Sequence, residues 1–157
     1  MTLQSQIGKK NPFKTPEEWA YLALRRAAWN VTTQVGTAYA SGGFTASQYN
    51  VLRILRGHHP TRLAASDIAG LMVSRDSDLT RILTDLQKRR LVSRRGCPTD
   101  RRRVLIGITQ QGLAALERLD EPVVEAIRAS LRALDAKSLG RLIELLEPLC
   151  DSTQGPA

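Results

Sequence analysis

This chain of 157 residues has little of what covalent or metal chemistry needs. It has two cysteines, Cys97 and Cys150, and two histidines, His58 and His59. Two distant cysteines form no CxxC pair and no disulfide framework, so they are expected to be thiols. The histidines are neighbours, about 100° apart around a helix axis, and do not make an i, i+4 metal pair. With both in one segment, neither a Ser-His-Asp triad nor a metal centre can be assembled, so no catalytic site and no cofactor are expected. Apolar stretches are short and broken by charge, and none approaches the 18 residues of a membrane span. The opening residues, MTLQSQIGKKNPFKT, lack the apolar core of a secretory signal, which leads us to expect a cytoplasmic protein. There is no internal repeat and no low-complexity tract.

Acidic residues are also scarce. Fifteen Asp and Glu face 23 Lys and Arg, a formal net charge of +8. Residues 75–103 hold ten of the basic residues and four aspartates, so six of the eight net charges lie in 29 positions. Such an excess favours a polyanionic partner. Otherwise the composition is ordinary, 42% hydrophobic and 24% charged, as in a globular chain with a core of its own.

Start and stop signals divide the chain. Residues 1–14 are polar and read as an arm. Thr15-Pro16-Glu17-Glu18 then opens a long helix, with a cap, a proline at the first turn and a capping-box glutamate. It is expected to run to about Ala40, before Gly42-Gly43. Thr45 and Gln48 form a second capping box, and the helix that follows ends near Gly57. A short helix over about 65–71 comes next, with Ile68 inward. Ser74 is the expected cap of another helix, whose Leu79, Ile82, Leu83 and Leu86 make one apolar stripe ending near Arg89. The period then changes to two. Leu91–Arg95 and Arg103–Ile108 predict a two-stranded hairpin, with Val104, Ile106 and Ile108 on one face. Thr109 caps a long helix in which Pro122 is expected to kink or interrupt the rod. Asp135 caps a last helix, with Leu139, Leu142, Ile143, Leu146 and Leu149 on one face, before a tail over 151–157.

The expected fold is therefore mainly α with a small two-stranded β-wing. It is a winged helix-turn-helix over 45–109, flanked by long dimerisation helices over 15–40 and 110–150. A helix fits the major groove of duplex DNA and a basic hairpin can reach the minor groove. With the leucine stripe inward, Arg75, Ser77, Asp78, Thr80, Arg81, Thr84, Asp85 and Lys88 are left outside. Arg94, Arg95, Asp100, Arg101, Arg102 and Arg103 surround the hairpin loop. Asp78 has two readings, acceptance of a hydrogen bond from cytosine N4 and stabilisation of the helix start.

The sequence resembles the MarR family of bacterial transcription regulators over about residues 15–150. The resemblance is carried by Thr45–Leu55, by Asp78-Leu79-Thr80-Arg81-Ile82-Leu83, by Leu91-Val92-Ser93-Arg94, by Asp100-Arg101-Arg102 and by Ile108-Thr109-Gln110-Gln111-Gly112. It implies a homodimer built from the first helix and the last two, bound to a pseudo-palindromic operator in double-stranded DNA. It also implies that Asp100 orients Arg102, and that a small aromatic or phenolic effector enters between the dimer helices and the reading domain. Trp19, Trp29, Tyr39 and Tyr49 are candidates to line that cleft; the ligand-binding residues are otherwise unknown. Two departures stand out: Arg90 replaces a glycine common before the first wing strand, and Ala64 replaces a usual Ser or Thr cap. Alternatives are a redox-responsive regulator acting through Cys97, whose arginine-rich loop favours thiolate, an architectural DNA binder, and an interaction adaptor.

Overall fold

The computed structural model describes residues 2–73, 78–97, 100 and 103–150. The amino-terminal arm is not wholly extended. It holds a single helical turn, α1 (Leu3–Gln6), and is then tied back. Lys9 Nζ lies 3.0 Å from Glu18 Oε1, and Phe13 stacks on Trp19 with ring centres 5.5 Å apart. The first long helix is α2 (Pro16–Ser41), capped by Thr15, whose side chain accepts from Glu18 N. Glu18 does not close a capping box on Thr15. Its carboxylate accepts instead from Lys14 N at 2.7 Å, and that bond, with Lys9 beside it, holds the carboxyl below its ordinary range.

Helix α3 (Ala46–His58) starts with the full capping box of Thr45 and Gln48. A two-residue strand, β1 (Leu63–Ala64), leads into α4 (Ala65–Leu71). Ala64 offers no capping side chain, and the helix start is held from the other direction, by Asp67 Oδ2 accepting from Ala64 N at 3.2 Å. Helix α5 (Leu79–Lys88) carries the leucine stripe, with Ile82, Leu83 and Leu86 buried. Strands β2 (Val92–Gly96) and β3 (Val104–Ile108) form the antiparallel wing, with Val92 opposite Ile108 and Gly96 opposite Val104. The sheet has three strands rather than the expected two, because β1 pairs with the outer edge of β3. Ile106 and Ile108 face the core as their period requires, whereas Val104 is exposed where the hairpin leaves the core.

Helix α6 (Gln110–Leu131) continues through Pro122, so of the expected kink or interruption the interruption does not occur. A proline removes one backbone donor from the helical ladder. Here the flanking Leu119 and Val123 are buried in the core, and this packing offsets the missing rung. Helix α7 (Ala136–Cys150) begins where Asp135 Oδ1 accepts from Ser138 N at 2.8 Å, and it includes Pro148 in its last turn. No described helix is long and apolar enough to cross a membrane.

One apolar cluster joins α3, α4, α5, the sheet and the first half of α6. Its fully buried members include Leu52, Leu55, Ile68, Leu86, Ile106 and Leu116. Burying each such side chain stabilises the fold by about 1.5–3 kcal/mol.

Candidate nucleic-acid interface

The end of α5 explains a departure noted in the sequence. Arg90 has φ +59°, a left-handed conformation that glycine adopts most easily. Leu91 N donates to Leu86 O at 3.0 Å and Arg90 N to Gln87 O at 2.9 Å, the paired bonds of a Schellman stop. Leu86 and Leu91 are both buried, completing the motif with its apolar contact. The start of α6 is fastened to this turn. Thr109 Oγ1 donates to Arg90 O at 2.8 Å, and Thr109 N to Leu91 O at 3.0 Å. Gly112 lies so close to the Leu91 carbonyl that a Cβ there would collide with it. The Thr109–Gly112 segment therefore locks the reading helix to the next long helix.

A helical projection with Ile82, Leu83 and Leu86 inward places Arg81, Thr84 and Lys88 on the opposite side. Arg81 is 81% exposed in its side chain, and its Nε lies 2.8 Å from Asp78 Oδ2. Asp78 stands at the N-cap position but makes no capping hydrogen bond with its side chain. Its carboxylate is engaged with Arg81. Thr80 is exposed beside this face, and Thr84 Oγ1 donates to Thr80 O at 2.8 Å. Asp85 is exposed, as expected, and also accepts from Gln48 Nε2 at 3.4 Å.

The wing meets this helix. Arg94 Nη2 donates to Thr84 Oγ1 at 3.2 Å, so Arg94 lies against the reading helix rather than standing at the hairpin tip. Arg95 is exposed on β2. Arg103 Nη2 lies 3.6 Å from Asp67 Oδ2, and Arg103 N donates to Asp100 O at 3.0 Å. Asp100 is exposed. Arg75, Ser77, Arg101 and Arg102 lie outside the described residues, as does the expected cap Ser74. Cys97 is half-buried rather than fully exposed, and its N–H donates to Arg103 O at 2.9 Å.

Two supporting residues, Arg62 and Arg56, carry no signal in the sequence, and Gln48 has a second role that its capping box does not announce. Arg62 Nη1 donates to Ser93 O at 3.1 Å and bolsters the wing from behind. Gln48 serves its own capping box and also reaches α5. Arg56 grips Asp120 through two bonds of 2.7 and 2.9 Å, joining α3 to α6. That guanidinium holds the Asp120 carboxyl below the ordinary carboxylate range.

The four candidate aromatics do not converge. Tyr39 and Tyr49 stack at 4.6 Å within the core region, and burial pushes the Tyr39 hydroxyl above its usual pKa. Trp19 and Trp29 are exposed. A different cleft, of about 640 Å³, opens between the end of α2, the end of α5 and the start of α6. Phe44, Leu91 and Leu119 line it together with Arg89 and Arg118. Arg89 lies over the Phe44 ring at 4.3 Å and donates to Gly43 O at 2.9 Å. Among the described residues no group of three His, Cys, Asp or Glu is placed to hold a metal ion.

The sequence profile of the MarR family matches residues 44–104, the segment from α3 to the wing. The crystal structure of a MarR transcription factor from Planctomyces limnophilus is 34% identical, covering 87% of this chain and 99% of that one, with a TM-score of 0.69. This chain belongs to the MarR family. It is a transcriptional regulator of that family, whose members bind DNA. The MarR-family chain is also 28% identical to a Thauera aromatica protein named for transcriptional regulation of the hcr operon. That match covers 81% of this chain and 71% of the relative. BpsR from Bordetella bronchiseptica shares the fold at 22% identity and a TM-score of 0.76, covering 85% of this chain and 99% of that one. Its structure is described as a mechanism for regulation of DNA binding by 6-hydroxynicotinic acid.

Proposed function

We propose that this MarR-family protein is a repressor that binds a pseudo-palindromic operator in double-stranded DNA as a homodimer. The carrying observation is the outward row of Arg81, Thr84 and Lys88 on a helix whose other face is buried, with Arg94 from the wing touching that row. In this reading α5 enters the major groove and Arg81 contacts a base edge, while Asp78 holds it ready. Arg75, Ser77, Arg95, Arg101 and Arg102 supply further DNA contacts around the helix start and the wing tip, and Asp100 orients Arg102. The dimer reading is supported by α7, which has no buried residue, and by Trp29, Ile143 and Leu145 exposed on the long helices. Two copies placed by these helices would offer reading helices about 34–36 Å apart, one turn of DNA.

Effector control belongs to the cleft beside Arg89. Two cations above an apolar floor suit a small aromatic carboxylate, and a volume of about 640 Å³ lies in the range of small-ligand sites. An anion there would draw Arg89 from Gly43 and Phe44 and disturb the end of α5. The BpsR precedent makes 6-hydroxynicotinic acid a first probe within a panel of aromatic acids.

The test is selection of random duplexes by the purified protein, followed by affinity measurements on the selected site and on random sequence. Arg81→Ala is expected to cost about 1–3 kcal/mol on the selected site and to relax base choice at one position of each half-site. Equal losses on selected and random duplexes would overturn the base-reading role. A monomer bound to a single half-site would overturn the dimer reading.

A further inference from the structure

Between α5 and the wing lies a groove of about 390 Å³ that the base-reading row does not use. Thr80 stands on one wall, Arg94 and Arg103 on the other, and Ser66 at the end formed by α4, above a floor of Leu83 and Ile106. The shape of DNA dictates what such a groove meets. A duplex separates its wide major groove from its narrow minor groove by a sugar-phosphate ridge. A protein that seats a helix in one and a hairpin in the other must straddle that ridge, and the space between helix and hairpin is where it passes.

We propose that this groove seats one phosphodiester of the dividing strand, held by the guanidinium groups of Arg94 and Arg103, with the Ser66 and Thr80 hydroxyls beside it. The inference rests on the DNA-binding reading above and adds the residues that fix the protein's register on the backbone. A guanidinium fork matches phosphate geometry, and hydroxyls can donate to the remaining oxygens. Both arginines are exposed and held by weak partners in the unbound protein. Arg94 donates to the neutral Thr84 hydroxyl at 3.2 Å, and Arg103 is 3.6 Å from Asp67. Exposed contacts of this kind contribute little, so exchanging them for phosphate is favourable. Asp67 is the carboxylate beside the seat. Its Oδ1 accepts from the Ser66 hydroxyl at 3.3 Å and its Oδ2 from Ala64 N at 3.2 Å. It opposes an incoming phosphate while keeping Arg103 in place.

The experiment uses the full chain and its selected duplex in a potassium chloride titration. Arg94→Ala and Arg103→Ala are each expected to lower the slope of log affinity against log salt by about 1, with selected base preferences unchanged. Asp67→Asn, which keeps an acceptor for Ala64 N, is expected to tighten binding a few-fold. A scan of neutral methylphosphonate linkages should find one position per half-site that weakens the wild type and leaves the Arg94→Ala/Arg103→Ala double variant unaffected. Circular dichroism checks that the variants fold. An unchanged salt slope overturns the proposal, as does the absence of any position where the neutral linkage loses its effect in the double variant. Altered base preference in Arg94→Ala would make that residue a base reader instead, and would also overturn it. Failure of the wild type to bind any duplex at low salt would instead remove the DNA reading itself.

Discussion

Helices α3 and α7 are of similar length, yet they are buried to very different degrees. Five of the 13 residues of α3 are buried, whereas none of the 15 residues of α7 is. Both are amphipathic, and both carry leucines at helical spacing. In α3 the apolar stripe meets α4, α5, α6 and the sheet. In α7, Leu139, Leu142 and Leu146 are only half-buried, and Ile143 and Leu145 stay exposed. A stripe of this kind gains its stabilisation only when something covers it. The reading half of the molecule therefore carries its own core, whereas α7 leaves its apolar stripe uncovered, the stripe that the proposed dimer would bury.

The largest effects should separate these halves. Leu86→Ala, in the closed core, is expected to cost about 2–5 kcal/mol at any protein concentration, measured by chemical denaturation. Leu145→Asp, on the open helix, should leave the core intact but abolish self-association in sedimentation, and it should remove any dependence of Tm on protein concentration. If Leu145→Asp unfolded the chain at high dilution as thoroughly as Leu86→Ala, the contrast would be false.

A smaller effect tests the bridge between the halves. Asp120 is held below its usual pKa by Arg56, so the pair contributes stability above the unfolded carboxylate pKa of about 3.9 and loses it as pH falls through the folded value. The partners are part-exposed, which limits the contribution to about 0.2–1 kcal/mol. Asp120→Asn should accordingly lower stability by up to that amount at pH 7, a deficit that disappears as pH falls below about 4, so that the acid limb of its stability profile is flatter. An acid limb identical to that of the wild type would show that the pair does not couple α3 to α6. The smallest effect expected is a gain. Arg90→Gly should stabilise the reading half by about 0.5–1 kcal/mol in denaturant titration, because it relieves a left-handed arginine. A loss of stability there would mean that the Arg90 side chain contributes more than its backbone costs.

Much of the reading half could be recognised in the amino acids because its signals are local. The Thr45–Gln48 box, the Thr109 cap and the leucine stripe of α5 each lie within a few residues, and each appears where the spacing predicts. Even the replacement of glycine by Arg90 pointed to a special turn, and that turn has a positive φ. What escaped depends on distance through space. The third strand is two residues long, too short to show a period, and exists because β3 has a free edge. Gln48 meets Asp85 across 37 positions and Arg56 meets Asp120 across 64, and no pattern of charges specifies such partners. Pro122 does not break its helix for a related reason, since the local cost of a proline is readable and the packing around it is not. In the site, the position of Arg94 in the chain makes it a hairpin cation. Its contact with Thr84 is a product of the fold.

The clamp of Thr109 and Gly112 on the turn after α5 turns α6 into a lever that carries α5 at its near end. The helix has 22 residues and spans about 33 Å, and no joint separates it from the reading helix. A tilt of about 6° pivoting on the far end would shift the near end by about 3 Å over that length. In the proposed dimer, a few ångströms between paired heads would put them out of step with successive turns of a duplex. A small molecule wedged beside Arg89 would not need to melt any element; nudging the rod would suffice.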